Sequence, residues 1–250
     1  METHFLETAD IETASADYAS RFQGEAGAFF LDVQTAITLQ LLSDMPGASV
    51  LDVGGGHAQL AKPLLDAGYR LTVTGSADVC RQRLDATCEK GSFSYLTCDS
   101  LNLPYNDNHF DVVMSFRLLP HAERWQQLLA EMCRVAHKCV IFDYPDIRSA
   151  NILYSLLFRL KKNMEGNTRK YQLFSRSEIR KELARNSYRQ PLFLPEFLVP
   201  MVLHRKLKSA KLSQLLEAFF RTAGMTSLFG SPIIVRSDKK QNGQPSTESS

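Results

Sequence analysis

Short apolar runs alternate with helix-like segments through the middle of this chain. Apolar and β-branched runs predict five strands, at about residues 48–53, 71–74, 93–96, 110–116 and 139–142. The segments between them carry apolar residues three or four positions apart, the spacing of one buried helix face. Strands separated by helix-length crossovers favour a parallel sheet with helices on both faces. The predicted fold class is therefore α/β.

The pattern changes on either side of this region. A helical pattern runs from about residue 17 to 42, with a break near residues 24–27. After residue 145 the pattern predicts helices at about 147–163, 177–186, 201–208 and 213–222, an extended segment at 191–200, and a last strand at 232–236. We therefore divide the chain into a flexible N-terminus (1–16), a core (17–145), a helical, basic lid with one core strand (146–227), a closing strand (228–236) and a disordered tail (237–250).

Composition is that of a soluble globular protein, with 44% hydrophobic and 22% charged residues and a net charge of +2. The charge is unevenly placed, because residues 159–211 hold fourteen Lys and Arg against four Glu. This asymmetry suggests an anionic partner for the second half of the chain. No run of about 18 apolar residues occurs. The absence of a signal-peptide pattern and the five cysteines without a CxxC pair predict a cytoplasmic location.

A glycine-rich turn follows the first predicted strand, in the sequence LDVGGGHAQL at residues 51–60. Glycine permits positive φ and lacks the Cβ that would hold a ligand away from the backbone. Asp52 precedes Gly54, Gly55 and Gly56, and a carboxylate there favours a cationic or hydroxyl-rich ligand over a phosphate. We predict a ligand site at this turn.

Three aspartates fall at the carboxyl ends of predicted strands: Asp52, Asp99 and Asp143. Ligands of open parallel sheets bind beyond these ends, where the strand order reverses. The coincidence supports one site that all three residues border.

Four segments resemble the class I S-adenosylmethionine-dependent methyltransferases of the small-molecule type. They are the glycine turn, LTCDSLNLP (96–104), FDVVMSFRLLPHAERWQQLLAEMCRV (110–135) and the helix start DYASRF (17–22). The resemblance implies a Rossmann-like, mostly parallel seven-stranded sheet with a helical lid insertion. It also implies S-adenosyl-L-methionine as the cofactor.

The resemblance implies a set of cofactor-binding residues. Asp52 would hold the ammonium group, the three glycines would approach the methionine and ribose portions, and Asp99 would accept a hydrogen bond from the adenine amino group. The full predicted set is Asp52, Gly54, Gly55, Gly56, Ser76, Asp78, Asp99, Ser100, Phe116, Tyr18 and Arg21.

The end of the second strand departs from the family pattern. An acidic residue that holds the ribose hydroxyls is expected there, but the sequence has Ser76 and Ala77. Either Asp78 substitutes from one position further along, or the ribose is held less tightly.

On the acceptor side, His121 is the best-placed candidate base, with packing or substrate orientation as its alternative role. Asp143 and Tyr144 end the fifth strand and are predicted to face the acceptor. His57 is interpreted as a helix-start residue near the cofactor. We predict no metal site.

The predicted function is methyl transfer from S-adenosylmethionine to a small or lipid-linked acceptor by in-line displacement, in a cytoplasmic protein. The basic segment at 159–211 has two interpretations: a solvated surface, or a surface that docks an anionic or lipid-bearing acceptor or contacts an anionic membrane peripherally. Nucleic acid is disfavoured as a partner because the net charge is near zero. A non-catalytic cofactor-binding or assembly protein is the alternative. A nicotinamide oxidoreductase ranks third, since the G-x-G-x-x-G pattern fails at Gln59.

Overall fold

The computed structural model describes residues 5–149, 171–207 and 209–240. Residues 150–163 of the predicted helix at 147–163 lie outside the described residues, as do positions 159–170 of the basic segment and 241–250 of the predicted tail. The predicted domain boundaries stay predictions. Within the predicted flexible N-terminus, residues 9–13 form a helix.

The described residues form a seven-stranded sheet in the order β3-β2-β1-β4-β5-β7-β6. Its parallel strands are β1 (Ser49–Val53), β2 (Arg70–Gly75), β3 (Ser94–Thr97), β4 (Phe110–Ser115) and β5 (Ala136–Tyr144). The last strand, β7 (Ile233–Asp238), runs antiparallel to both β5 and β6 (Leu192–Pro195). The predicted α/β class with a mostly parallel, Rossmann-like sheet is confirmed.

Helices cover this sheet: α1 (Ala9–Thr13), α2 (Ala16–Ser20), α3 (Gly24–Leu42), α4 (Ala61–Asp66), α5 (Gln82–Thr87), α6 (Trp125–Val135), α7 (Arg176–Arg185), α8 (Met201–Leu207), α9 (Ala210–Thr222) and α10 (Met225–Phe229). Polar side chains cap the first turns of two of these helices. Ser175 and Glu178 form a reciprocal capping box at α7. Ser209 caps α9, which therefore begins three residues before the predicted position of 213.

Side chains that alternate along the strands build an apolar core on each face. Val53, Val113 and Phe142 point to the face packed by α6 and α7. Their neighbours Val112 and Ile141 point to the opposite face, against α3 and α4. Because both faces are buried, the central strands are apolar at nearly every position.

The carboxyl ends of β1 to β5 share one edge of the sheet. The strand order reverses between β1 and β4, because β2 and β3 lie on one side of β1 and β4 and β5 lie on the other. A ligand site is therefore expected above β1. At the other edge, Arg236 of β7 bonds both carboxylate oxygens of Asp44, just beyond α3, at 2.7 Å. None of the described helices has the length and apolar character needed to cross a bilayer.

Candidate functional site

The glycine turn lies at the end of β1, as predicted. Gly54 has a φ of +72°, and a tight 3₁₀ turn covers Gly55–His57. A Cβ on Gly54 would lie 2.8 Å from Cδ2 of Leu118, and one on Gly56 would lie 2.7 Å from the carbonyl oxygen of Cys80. Other residues at these positions would be strained or would clash. The turn thus presents bare main chain where neighbouring groups approach closely.

Asp52 lies directly beneath the turn and is 1% exposed. Its Oδ1 atom has no hydrogen-bond partner among the described residues. Burial, and secondarily the charge of Asp143, raise the pKa of Asp52 to about 8. A buried carboxylate oxygen without a donor is costly. Its chemistry fits an ammonium group, so the residues present suit the amino-acid portion of S-adenosylmethionine.

The end of β2 is occupied by the protein's own N-terminus. Ser76 donates from its backbone nitrogen and its hydroxyl to the carboxylate of Asp10 in α1, at 2.6 and 2.5 Å. Asp78 is exposed and accepts a hydrogen bond from the Thr97 hydroxyl. The ribose roles of Ser76 and Asp78 stay predictions, and sequence reasoning did not identify Asp10.

Asp99 follows β3 at the same edge and is half-buried, as is Ser100. The Asp99 side chain accepts a hydrogen bond from the Leu101 backbone nitrogen at 2.9 Å, which fixes the loop after the strand. The adenine-binding role of both residues stays a prediction.

In α2, which holds most of the DYASRF segment, Tyr18 is half-buried, and the guanidinium carbon of Arg21 lies 4.8 Å from the centre of the Tyr18 ring. Desolvation raises the pKa of Tyr18. Phe116, in contrast, is fully buried in the apolar cluster beneath α3 and α4. The structure therefore brings together Tyr18 of α2 and Arg21, the residue that follows this helix, and packs Phe116 into the core.

A second set of buried polar residues, which we call the acidic group, lies beyond β4 and β5 and includes Asp143 and Glu196. Asp143 accepts a hydrogen bond from the Arg117 backbone nitrogen at 2.6 Å and from Nε2 of Gln34 at 3.5 Å. The same Gln34 nitrogen donates to Glu196 at 3.3 Å. Burial raises the pKa of Asp143 to about 6 and that of Glu196 to about 8, the latter also through repulsion from Asp143.

Sequence reasoning missed three members of this group: Gln34, Arg117 and Glu196. Arg117 is the second residue after β4 and has a φ of +61°, which is strained for a residue with a side chain. Its position after a strand was the available signal. Gln34 is a polar residue on the buried face of α3, and Glu196 follows the edge strand β6. Nothing in their spacing indicated that they meet.

Asp143 and Tyr144 are neighbours on β5 and so project to opposite faces of the sheet. Tyr144 packs in the core cluster of α6 and α7, with its ring edge-on to Phe174 at 6.0 Å. His121 ends a 3₁₀ turn after β4 and lies 5.5 Å from the ring of Tyr171. Burial lowers the pKa of His57 to about 3, so its ring is neutral at physiological pH.

Comparisons with known proteins agree with this geometry. Residues 51–141 match the family described as "Methyltransferase domain". The chain is 30% identical over 114 residues to the phthiotriol/phenolphthiotriol dimycocerosates methyltransferase of Mycobacterium tuberculosis, covering 43% of this chain and 41% of that protein. It is 33% identical over 106 residues to the ubiquinone/menaquinone biosynthesis C-methyltransferase of Burkholderia mallei, covering 40% of this chain and 44% of that protein. The chain spans less than half the length of these relatives.

Solved structures share the fold at low identity. Magnesium protoporphyrin IX methyltransferase from Synechocystis PCC 6803, with bound S-adenosylhomocysteine, has a TM-score of 0.59 at 16% identity, covering 86% of each chain. The 1,6-didemethyltoxoflavin-N1-methyltransferase of Burkholderia thailandensis has a TM-score of 0.56 at 14% identity, covering 85% of this chain and 79% of its own. Residues 51–141 thus match a methyltransferase domain, and the strand order and the glycine turn are those of the Rossmann-like methyltransferase fold.

Proposed function

We propose that this protein transfers a methyl group from S-adenosylmethionine to a lipid-linked acceptor. The observation that carries the donor assignment is Asp52, whose buried carboxylate oxygen lacks a donor directly beneath a bare glycine turn. When bound, the donor supplies an electrophilic methyl group on a positively charged sulfur. The protein's own contribution is to bind and orient the two reactants in line.

On the donor side, Asp52 holds the ammonium group through a charge-assisted hydrogen bond. Asp99 accepts from the adenine amino group, and Ser100 lines the ring. Tyr18 and Arg21 close over the donor from α2. Ser76 and Asp78 stand at the end of β2, the position of the ribose.

On the acceptor side, Asp143 is the central group. Its pKa of about 6 leaves it mostly ionised at neutral pH, and the Arg117 backbone nitrogen fixes its orientation. An ionised carboxylate in this position orients an acceptor hydroxyl or amine and takes its proton if the nucleophile carries one. His121, beyond β4, is the second candidate for that proton.

The lipid-linked acceptor is supported by an exposed apolar surface on α8, α9 and α10. Leu212, Leu215 and Phe219 lie on one side of α9 and are exposed. Exposed residues on the neighbouring helices extend this apolar face: Leu203, Leu207, Met225, Leu228 and Phe229. Exposed apolar side chains on three successive helices favour an interaction site. The names of the two relatives above refer to phthiotriol and phenolphthiotriol dimycocerosates and to the biosynthesis of ubiquinone and menaquinone.

The charges around the apolar face favour an anionic membrane. Glu217 is the only acidic residue at positions 201–229, and it is buried. Its carboxylate is used internally, since it accepts hydrogen bonds from the backbone nitrogens of Leu198 and Val199 at 3.0 and 2.9 Å. Among the described residues of 201–229, the exposed charges are cations: Arg205, Lys206, Lys211 and Arg221. One carboxylate from outside this segment, that of Glu25, accepts a hydrogen bond from the Ala210 backbone nitrogen at the start of α9. Apolar side chains beside exposed cations fit the interface of anionic lipids.

The face also connects to the acidic group. Arg221 of α9 donates to the carbonyl oxygen of Glu196 at 2.9 Å, and the Glu196 side chain reaches Gln34. A lipid held at the apolar face would thus lie beside the segment that borders the acceptor side.

Titration calorimetry with S-adenosylmethionine, S-adenosylhomocysteine and NADH tests the donor. We expect both sulfur compounds to bind and NADH not to bind. Transfer of a labelled methyl group to a membrane lipid extract then tests the activity. Binding without transfer to lipid or to soluble small molecules would support the non-catalytic alternative and contradict the proposed activity.

Vesicle flotation tests the membrane contact. We expect binding to vesicles of phosphatidylcholine and phosphatidylglycerol, and weaker binding to phosphatidylcholine alone. The double variant Leu215→Glu with Phe219→Glu should lose this binding. Leu192→Glu, which replaces a leucine of β6 that is 51% exposed, should retain it. Equal binding by all three proteins, or none by the wild type, would contradict the contact.

A further inference from the structure

The N-terminal segment lies in the cleft that the donor must enter. We call residues 5–15 the strap. The Cβ of Asp10 is 3.3 Å from where a Cβ on Gly54 would be, and the Cβ of Ala14 is 3.0 Å from the corresponding position on Gly56. The space that the glycines leave open is therefore filled by the strap.

Packing holds the strap in place. Ala9 belongs to the apolar cluster that includes Val53 and Leu118, and Thr13 is also buried. These contacts remove apolar surface of α1 from water. A helix of five residues has little stability of its own, so α1 depends on this docking.

Two carboxylates anchor the strap at opposite sides of the cleft. Asp10, 3% exposed, accepts the two hydrogen bonds from Ser76 at the end of β2. Glu7, 6% exposed, accepts a hydrogen bond from the Arg124 backbone nitrogen at 2.7 Å, before α6. Hydrogen bonds to ionised acceptors are the stronger kind. Each anchor also satisfies a backbone N–H that the strap would otherwise cover.

The anchor at Ser76 coincides with the departure from the family pattern. The sequence lacks the acidic residue expected at the end of β2, and the structure places the carboxylate of Asp10 there from a different part of the chain. A second carboxylate at the end of β2 would repel that of Asp10. Ser76 is a small hydrogen-bond donor and binds the Asp10 carboxylate instead.

We propose that the strap is an autoinhibitory segment, which competes with S-adenosylmethionine for the glycine turn and must be displaced before the donor binds. This inference rests on the proposed function, because it takes the donor site to be the one beneath the strap. If only a fraction of molecules has the strap displaced, the apparent donor affinity falls by that fraction. Weakening an anchor therefore tightens donor binding.

Calorimetric titration with S-adenosylhomocysteine tests this on the full chain. Asp10→Ala should bind about tenfold more tightly than the wild type, the equivalent of one hydrogen bond to a charged group. Asp10→Asn, which keeps the packing and loses the charge, should lie between them. Asp17→Ala is the matched control, since Asp17 is an exposed carboxylate on the next helix, α2, and the affinity of this variant should equal that of the wild type.

Hydrogen exchange supplies a second readout that does not depend on affinity. Donor binding should increase exchange in residues 9–14 and at the Arg124 amide, and decrease exchange in residues 54–58. Removal of residues 1–15 should abolish the first response and keep the second. Circular dichroism confirms that each variant is folded.

The outcomes separate the two proposals. If neither the wild type nor any variant binds the ligand, the proposed function fails and the strap proposal fails with it. If the wild type binds and Asp10→Ala binds equally well or more weakly, the strap proposal alone is overturned. Weaker binding would identify Asp10 as a donor ligand instead. Binding by the strap variants but not by the wild type would support both proposals.

Discussion

Asp52 and Asp143 are both buried at the carboxyl edge of the sheet, on β1 and β5, and the charge of Asp143 adds to burial in raising the pKa of Asp52. The two carboxyl groups differ in their hydrogen-bond partners. Asp143 accepts two hydrogen bonds, whereas Oδ1 of Asp52 has no partner in the described chain. At neutral pH, Asp143 is therefore mostly ionised and Asp52 mostly protonated. In the proposed donor site, the ammonium group of the donor and the proton would therefore compete for Asp52.

This competition makes donor affinity depend on pH. Since the pKa of Asp52 is about 8 in the free protein, an ammonium ligand must displace its proton below that pH. We expect the dissociation constant for S-adenosylhomocysteine to fall, by at most about tenfold per pH unit, as the pH rises from about 6 to about 7.5. Calorimetry in buffers of different ionisation enthalpy would also detect proton release on binding.

Asp52→Asn is the control for this pH dependence. The amide cannot be ionised, so its affinity should be lower and should change less over the same pH range. A variant with the full pH dependence of the wild type would show that another group releases the proton.

Asp99→Ala should weaken donor binding by about 1–3 kcal/mol, the cost of leaving a buried hydrogen-bonding group unsatisfied. The side chain also accepts from the Leu101 backbone nitrogen, so part of the loss would come from the loop after β3. Asp99→Asn keeps an oxygen that can accept from the Leu101 backbone nitrogen. This variant therefore separates the contribution of the loop from that of the contact with the donor. An unchanged affinity in Asp99→Ala would remove Asp99 from the site.

Gln34→Leu should lower the free energy of unfolding by about 1–3 kcal/mol, because it strands hydrogen-bonding groups on Asp143 and Glu196. Gln40→Leu on the same helix is the matched control. Gln40 is exposed, so its replacement should change stability by no more than about 0.5 kcal/mol. Urea denaturation at pH 7 measures both. Equal effects would show that the buried network contributes nothing specific.

Gly54→Ala tests the close approach at the turn against backbone strain alone. Gly47 has a φ of +70° with nothing within 4 Å of its Cβ position, whereas Gly54 has a φ of +72° with Leu118 at 2.8 Å. Gly47→Ala should therefore cost about 1–2 kcal/mol for the left-handed backbone. Gly54→Ala should cost at least about 1 kcal/mol more through the clash. The difference is read from thermal or urea unfolding, and similar costs would show that Leu118 moves aside freely.

The sequence predicted the parts of this molecule that depend on local patterns. Apolar runs marked the strands β1 to β5 because both faces of those strands are buried, and the strand-end rule placed Asp52, Asp99 and Asp143 at one edge. The glycine turn was recognisable because glycine meets a backbone requirement at Gly54 that few residues can meet.

Contacts between distant segments could not be predicted in the same way. Asp10 meets Ser76 across 66 positions, and Gln34 meets Glu196 across 162. Neither pair has a periodicity or spacing that refers to its partner. The prediction that both Asp143 and Tyr144 face the acceptor ignored the alternation of side chains along a strand. Because Tyr144 follows Asp143 directly, its side chain lies on the other face of the sheet, in the core.

The Arg236–Asp44 pair fixes the carboxyl end of α3 to β7. The strap proposal therefore requires movement only of the chain ahead of α3. Gly24 begins α3 with a φ of +76°, and no neighbouring atom lies within 4 Å of its Cβ position, so the backbone can rotate there without a side chain in the way. Rotation at Gly24 would displace α1 while α3, and the polar network it carries, stays in place.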